Sequence, residues 1–326
     1  MKKVTYCFIL VALFLAVGIL NGPVVNAEPI KLKAVCFLPK MHPMAAQSVE
    51  WVKRVNETLK GELEVDYIGG PEITASKEQI QALKNGVFDI NFNVTSYYAP
   101  HAPELNAFQL SKYMPWEERK AGGFYDYMLA RHKRIGAFYA GRWLYGSFYI
   151  WTKEPVAKPA DLAGRKLRVG PMYVYFMKKL DVATVSIKPT DVYTALERGT
   201  VDGFAWPMLG ARDLGWTDST KYLIDEPFYG MDGAILFNLD VWNKLPKSLQ
   251  KKLMDLTIAY ERDMVQFFQQ KGTKEREMLK GAGVKFVKFS KADSQEYIKK
   301  ADDAYWEFLQ QKVPDLIPDL KKVTGN

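Results

Sequence analysis

The sequence predicts an α/β protein of two lobes joined by a hinge, with a ligand held between them. Three observations carry this: a β-α-β-α-β order near the start, a second α/β unit past residue 160, and a long amphipathic segment after residue 246. Strands alternating with helices imply mainly parallel sheets with helices on their faces. Two further strands, 145–152 and 234–238, lie between the units, and two crossings suit a hinge.

In order, residues 30–37 are apolar and β-branched and read as a strand, broken by Pro39 and Pro43. Residues 44–59 have apolar positions at helical spacing before Gly61. Residues 63–68 alternate apolar and acidic side chains, as a half-buried strand does, and Gly69-Gly70-Pro71 ends them. A short amphipathic helix at 77–85 stops at Gly86, and 88–94 is the next strand. The second unit runs strand 166–169, helix 174–180, strand 184–187, helix 191–198 and strand 201–205. Residues 246–281 form a long helix with Leu249, Leu253, Leu256, Met264 and Phe267 at helical intervals. Gly272 is a candidate bend, since glycine costs ~1 kcal/mol relative to alanine inside a helix. A strand at 284–289 and a helix at 294–312 follow.

The first residues carry a destination. Lys2 and Lys3, an apolar run over 6–20 and Val25-Asn26-Ala27 read as an export signal cleaved after Ala27. The run is short of the ~20 residues a membrane span needs, and Cys7 stands at its start instead of closing it, which argues against a lipoprotein. Cleavage lowers the formal charge from +8 to +6, and the basic residues lie among acids, as on a solvated surface. Only Cys36 would remain, so no internal disulfide is expected. The mature chain is expected to be soluble.

Enzyme constellations are missing. His42, His101 and His132 stand at no metal-ligand spacing, so no metal is expected, and no G-x-S-x-G, P-loop or G-x-G-x-x-G is present. No catalytic residue and no cofactor is assigned. Arg168 differs from the other arginines. It ends a short strand in apolar surroundings, and open α/β sheets bind ligands at the carboxyl ends of their strands. A guanidinium there offers two parallel N–H donors to a carboxylate.

The stretch Asp161-Leu162-Ala163-Gly164-Arg165-Lys166-Leu167-Arg168-Val169, followed by Asp191-Val192-Tyr193-Thr194-Ala195-Leu196-Glu197-Arg198-Gly199-Thr200-Val201-Asp202-Gly203, resembles the signature of the solute-binding subunits of TRAP transporters, the DctP family. His42-Pro43, residues 81–90 and residues 98–105 fit the family's other blocks in order and spacing. The resemblance implies a two-lobed periplasmic binding protein fold, type II-like, in which the long helix braces both lobes. It assigns residues 28–146 plus 233–272 to lobe I and 147–232 plus 273–326 to lobe II. It also implies periplasmic location, a small and a large integral membrane partner, no nucleic acid, and Arg168 as the carboxylate anchor.

Departures from the family pattern bear on the ligand. Where sugar-acid binders commonly carry a second arginine, this chain has Phe148. An asparagine that assists the anchor is replaced by Trp206, and an acidic position by Val94, with Asn93 beside it and Tyr97 just beyond. Losing a cation makes a second ligand carboxylate costly to bury, while aromatic walls stack on a planar or apolar body. The expected ligand is a monocarboxylate with an aromatic or hydrophobic body, such as an aryl or indole acid or a 2-oxo acid. The expected site is Arg168, Trp206, Phe148, Tyr97, Asn93, His42, Phe228, Tyr229 and Tyr173. One alternative is a C4-dicarboxylate or sugar-acid binder using Arg142, Arg212 or Lys40 as second cation. An exported enzyme working through His42, or a sensor subunit, are alternatives of other classes.

Overall fold

Exposed Lys31 and Lys33 alternate with buried Leu32 and Ala34 in the first strand, so one face of Ile30–Cys36 (β1) is committed to the core from the outset. The computed structural model describes residues 28–120 and 122–326. The expected export signal at 1–27 lies outside the described residues.

After β1 the chain runs through Ala46–Thr58 (α1), Leu63–Gly69 (β2), Gln79–Lys84 (α2), Ile90–Val94 (β3) and Thr95–Tyr98 (α3). A long 3-10 segment, Pro103–Leu110, leads to Pro115–Glu118 (α4), Phe124–Arg134 (α5) and Ala137–Arg142 (β4). The second unit holds Ser147–Thr152 (β5), Lys166–Arg168 (β6), Val174–Lys179 (α6), Ala183–Val185 (β7), Val192–Glu197 (α7) and Gly203–Pro207 (β8). Tyr222–Ile224 (β9) and Phe228–Gly230 (β10) precede Gly233–Asn238 (β11) and Leu239–Lys244 (α8). Lys247–Gly281 (α9), Lys285–Val287 (β12), Lys291–Lys312 (α10) and Ile317–Thr324 (α11) complete the chain.

Two sheets result. The first has the order β2-β1-β3-β11-β4, with β11 antiparallel to both β3 and β4 and β1 parallel to β2 and β3. The second runs β12-β9-β5-β8-β6-β7, with β10 added beside β5. The chain passes from β4 of one sheet to β5 of the other, and back from β10 to β11. These passages are short, and Met231 N donates to Gly146 O at 3.0 Å to tie them together. A dry aromatic stack of Trp51, Phe92, Trp143 and Phe237 forms the heart of the first lobe, edge to face at 5.5–6.1 Å.

The helix α9 is continuous through Gly272. Its first half grips the first lobe: Trp51 Nε1 donates to Thr257 Oγ1 at 3.1 Å, Tyr260 Oη to Gln47 O at 2.9 Å, and Arg119 pairs with Glu261 at 2.6 Å. Its second half grips the other: Arg212 meets Glu275 at 3.0 Å and Arg276 meets Asp225 at 2.7 Å. Residues 317–326, expected with lobe II, instead pack on the 103–110 segment and α5 of the first lobe. Buried Ile317 and Leu320 give α11 an apolar face, and Asn326 Nδ2 donates to Leu110 O at 2.7 Å. Strand β8 begins two residues later than expected, which brings Trp206 into the strand itself.

Candidate functional site

Parallel pairing of β6 with β8 sets Arg168 opposite Phe204, so the guanidinium emerges at the carboxyl end of β6 beside Trp206. The guanidinium carbon lies 5.1 Å from the Trp206 ring centroid and 6.0 Å from that of Trp216. Nε donates to Ile187 O at 3.0 Å, which fixes the fork, while Nη1 is buried without a hydrogen-bond partner. The residue is 4% exposed and no carboxylate pairs with it among the described residues. Burial lowers its pKa, opposed by the nearby Tyr173 and Tyr97 hydroxyls.

Other buried arginines are treated differently. Arg142 holds Glu118 bidentately, at 2.8 and 2.6 Å, and gives Nη1 to Met231 O at 2.9 Å; Arg119 does the same with Glu261. In both cases the paired carboxylate raises the arginine's pKa against the effect of burial. A buried charge without such compensation is costly unless a partner arrives.

Two more donors face the same place. His42 precedes the Pro43–Ala45 turn, and its Nδ1 accepts from Met44 N at 3.2 Å. Burial pulls its pKa down to about 4, against the pull of Asp213, so the ring is neutral near pH 7 and its single proton sits on Nε2. That nitrogen has no partner, and neither does Trp206 Nε1. The His42 and Trp206 rings stand edge to face at 6.2 Å. Gly210, left-handed at φ +92°, lies between them: a Cβ there would be 3.5 Å from Trp206 Nε1 and 3.8 Å from His42 Cε1.

The remaining expected residues divide. In the antiparallel pairing of β5 with β8, Phe148 faces Pro207 and Tyr149 faces Trp206, so Phe148 and Trp206 point to opposite faces of the ribbon. Phe148 instead joins Tyr173 at 4.9 Å and Phe228 at 6.3 Å. Phe228 continues to Phe176, at 5.0 Å, in the core of the second lobe. Tyr173 sits at the edge of this cluster, near Arg168. Tyr97 packs its ring against Phe37 at 5.4 Å and lies within the field of Arg168.

Two expected contacts turn away from the cleft. Asn93 spends Nδ2 on Asn91 Oδ1 (3.0 Å) and Ser76 O (3.3 Å), and Oδ1 on Val94 N (2.8 Å), inside an amide ladder against α2. Tyr229 gives its hydroxyl to Ala301 O at 2.7 Å and its ring to Tyr305 at 4.8 Å. A register shift after Phe228 and a left-handed φ of +47° at Tyr229 redirect it toward α10.

Sequence reading missed Trp216, which packs 5.1 Å from Trp206, and Asp232. Asp232 is wholly buried in Gly230-Met231-Asp232-Gly233, an acid bracketed by glycines between apolar strands, and that was its available signal. Its Oδ2 accepts from Thr95 Oγ1, from Ser96 N at 3.3 Å and from Gln109 Nε2 at 3.3 Å. Among the described residues no group of three or more His, Cys, Asp or Glu is placed to hold a metal ion. A cavity of about 570 Å³, whose lining does not include Arg168, lies between the hinge passages and α9, lined by Tyr145, Tyr149, Met208, Met231 and Arg276. Arg276 there is already met by Asp225, so the unpaired donors, not this cavity, locate the candidate site.

The chain matches the family model of bacterial extracellular solute-binding protein, family 7 (DctP), over residues 35–312. A monocarboxylate 2-oxoacid-binding periplasmic protein of Nostoc sp. is 24% identical over 269 residues, spanning 78% of this chain and 72% of the relative. A TRAP periplasmic solute-binding protein from Desulfovibrio salexigens with bound orotic acid superposes with a TM-score of 0.78 at 19% identity, covering 90% of this chain and 98% of that one. A TRAP transporter solute-binding protein from Bordetella bronchiseptica, a mixed-occupancy dimer with copurified calcium and picolinate, gives 0.77 at 22% identity over 92% and 93% of the two chains. The two-sheet α/β architecture is the two-lobed fold of these structures. With its family signature running through both lobes, the chain belongs to family 7 of the bacterial extracellular solute-binding proteins, the DctP family of TRAP transporters.

Proposed function

We propose that this protein captures a monocarboxylate with an aromatic or hydrophobic body in the periplasm and delivers it to TRAP membrane subunits, without catalysing a reaction. One observation carries the reading: three buried donors, Arg168 Nη1, Trp206 Nε1 and His42 Nε2, have no acceptor among the described residues, and Arg168 and His42 both border the Trp206 ring. A carboxylate supplies the acceptors and cancels the Arg168 charge. Trp206 and Tyr97 give the rest of the ligand apolar walls, with Tyr173 at their edge.

Of the cations that a second carboxylate could use, two are committed elsewhere. Arg142 belongs to Glu118, Arg212 to Glu275, and Lys40 is exposed over the Tyr67 ring at 5.4 Å. The likeness to a 2-oxoacid binder supports the same ligand class. Capture proceeds by closure: lobe I (28–146, 233–272 and 317–326) swings over lobe II (147–232 and 273–316) once the carboxylate has docked, because the closed state offers the better contacts. Export through a signal peptide at 1–27 would bring the mature chain to the permease.

The test is a thermal-shift panel of organic acids on residues 28–326, since a ligand at a hundred times its dissociation constant adds about 2.7 kcal/mol of stability. Shifts confined to aryl, indole and apolar 2-oxo acids are expected. Shifts from C4-dicarboxylates or sugar acids alone would overturn the ligand class while keeping the family.

A further inference from the structure

The donors around Arg168 have a counterpart of opposite sense. Asp232 Oδ1, Gln109 Oε1 and Ser96 Oγ are also buried without a hydrogen-bond partner, and their residues are 0%, 2% and 9% exposed. All three belong to one small constellation, because Ser96 N and Gln109 Nε2 both donate to Asp232 Oδ2. That contact also fixes the Gln109 amide: the flipped form would set its oxygen against the carboxylate. With Oδ2 saturated by Thr95, Ser96 and Gln109, the unused acceptor capacity is at Asp232 Oδ1 and Gln109 Oε1.

This acceptor cluster lies close to the Arg168 site. The short helix α3, which carries Ser96 and Tyr97, packs against the Pro171–Tyr173 turn that follows the Arg168 strand. Tyr97 and Tyr173 each feel the charges of both Arg168 and Asp232. The donor at Arg168 and the acceptors around Asp232 thus share one neighbourhood, with Tyr97 and Tyr173 close to both. The other groups within the Asp232 field are the Tyr98 and Tyr305 hydroxyls. Arg142 reaches the neighbouring Met231 carbonyl, but its charge is taken by Glu118. Among the described residues no cation pairs with Asp232; burial raises its pKa, opposed by Thr95, Gln109, Ser96 and its own backbone N–H.

Resting on the monocarboxylate reading, we propose that Asp232, Gln109 and Ser96 form the far end of the ligand site and select an acid that also carries a hydrogen-bond donor, a hydroxyl or an N–H, remote from its carboxylate. The same carboxylate repels a second ligand carboxylate, which sets this chain against dicarboxylates by charge. A ligand lacking the donor leaves buried acceptors unpaired, the situation in which polar sites discriminate most strongly.

Matched pairs test this on residues 28–326: indole-3-acetate against 1-methylindole-3-acetate, and 4-hydroxyphenylacetate against 4-methoxyphenylacetate, by calorimetric titration. The donor member of at least one pair is expected to bind the native protein roughly tenfold tighter or more. In Asp232→Asn the side-chain oxygen is expected to take over the three donors and turn the amide nitrogen toward the ligand, so the preference should collapse or invert. Tight binding of both members with a ratio near one, or a ratio unchanged in Asp232→Asn, would overturn the inference and leave the monocarboxylate reading standing. Failure of all four acids to bind the native protein would overturn that reading and this inference with it. Should Asp232→Asn not fold, the ratios in native protein and in Ser96→Ala decide, with reduced preference expected in the latter and an unchanged one counting against the proposal.

Discussion

Arg168 lies over Trp206 with its guanidinium carbon 5.1 Å from the ring centroid, and the indole supplies the electrostatic partner that a carboxylate supplies to Arg142 and Arg119. A ring face offsets only part of the cost of burying a cation, on the order of 2 kcal/mol when desolvated. It does so without occupying the outer N–H groups of the fork. The cation is thus held in place and still available to an anion, a combination that a salt bridge would forbid.

Replacing Arg168 with Met therefore has opposite effects on binding and on the free protein. Carboxylate affinity should fall by about 2–5 kcal/mol or more, as when one partner of a buried charge pair is removed. Thermal stability without ligand should hold or rise, because an unpaired buried charge is replaced by an apolar chain of similar length. Calorimetric titration and a melting curve on the same sample check both. Affinity within twofold of native would remove Arg168 from the anchor role.

Trp206→Asn separates stacking from scaffolding. Trp206 touches Arg168, His42 and Trp216 together, so some general loss is expected. Aromatic acids should lose about tenfold more affinity than a small acid such as pyruvate, in line with ~0.5–1.5 kcal/mol for an aromatic pair beyond its area. An equal loss across sizes would assign Trp206 to holding Arg168 alone.

The strand end at Arg168 is a local pattern, whereas Trp206 entered through the family pattern, at a position two residues past the paired strand's Phe204. The apolar, β-branched run of β1, the alternation of β2 and the helical spacing of α9 were legible because each is a local pattern. Strand β4 was not, since all six of its residues are buried and it shows no alternation. Asn93 and Tyr229 were misplaced because their partners, Asn91 and Ser76 in one case and Ala301 in the other, are set by packing and by a bulge that no local pattern announces. Asp232 went unread because an isolated acid between glycines looks like a turn until Thr95, Ser96 and Gln109 are seen around it.

The Arg142–Glu118 pair should behave as structure, not as ligand site. Both side chains are nearly inaccessible and joined bidentately, and Arg142 also caps the Met231 carbonyl beside the hinge. Glu118→Gln leaves that guanidinium buried with a neutral partner and should cost about 3–5 kcal/mol of stability, read from denaturant unfolding. Selectivity between mono- and dicarboxylates should not change. A gain in dicarboxylate affinity would show Arg142 released to serve as a second cation.

His132 provides a pH dependence whose sign can be worked out. Its ring stacks on Tyr139 at 5.2 Å, Nδ1 donates to the Met128 carbonyl at 2.8 Å, and Nε2 therefore accepts from the Tyr98 hydroxyl at 3.0 Å. Burial lowers its pKa to about 4, with the Met128 carbonyl opposing. Between that value and the unfolded one of about 6.5 the unfolded chain binds a proton that the folded chain refuses, so stability falls as pH drops through this window. The span corresponds to roughly 3 kcal/mol at its full extent. His132→Phe should flatten this part of the profile while lowering stability at pH 7 by about 1–3 kcal/mol, because Tyr98 loses its acceptor. Unfolding titrations of the native and variant proteins from pH 7 to pH 4 check it: parallel curves would mean that His132 keeps an ordinary pKa in the folded protein.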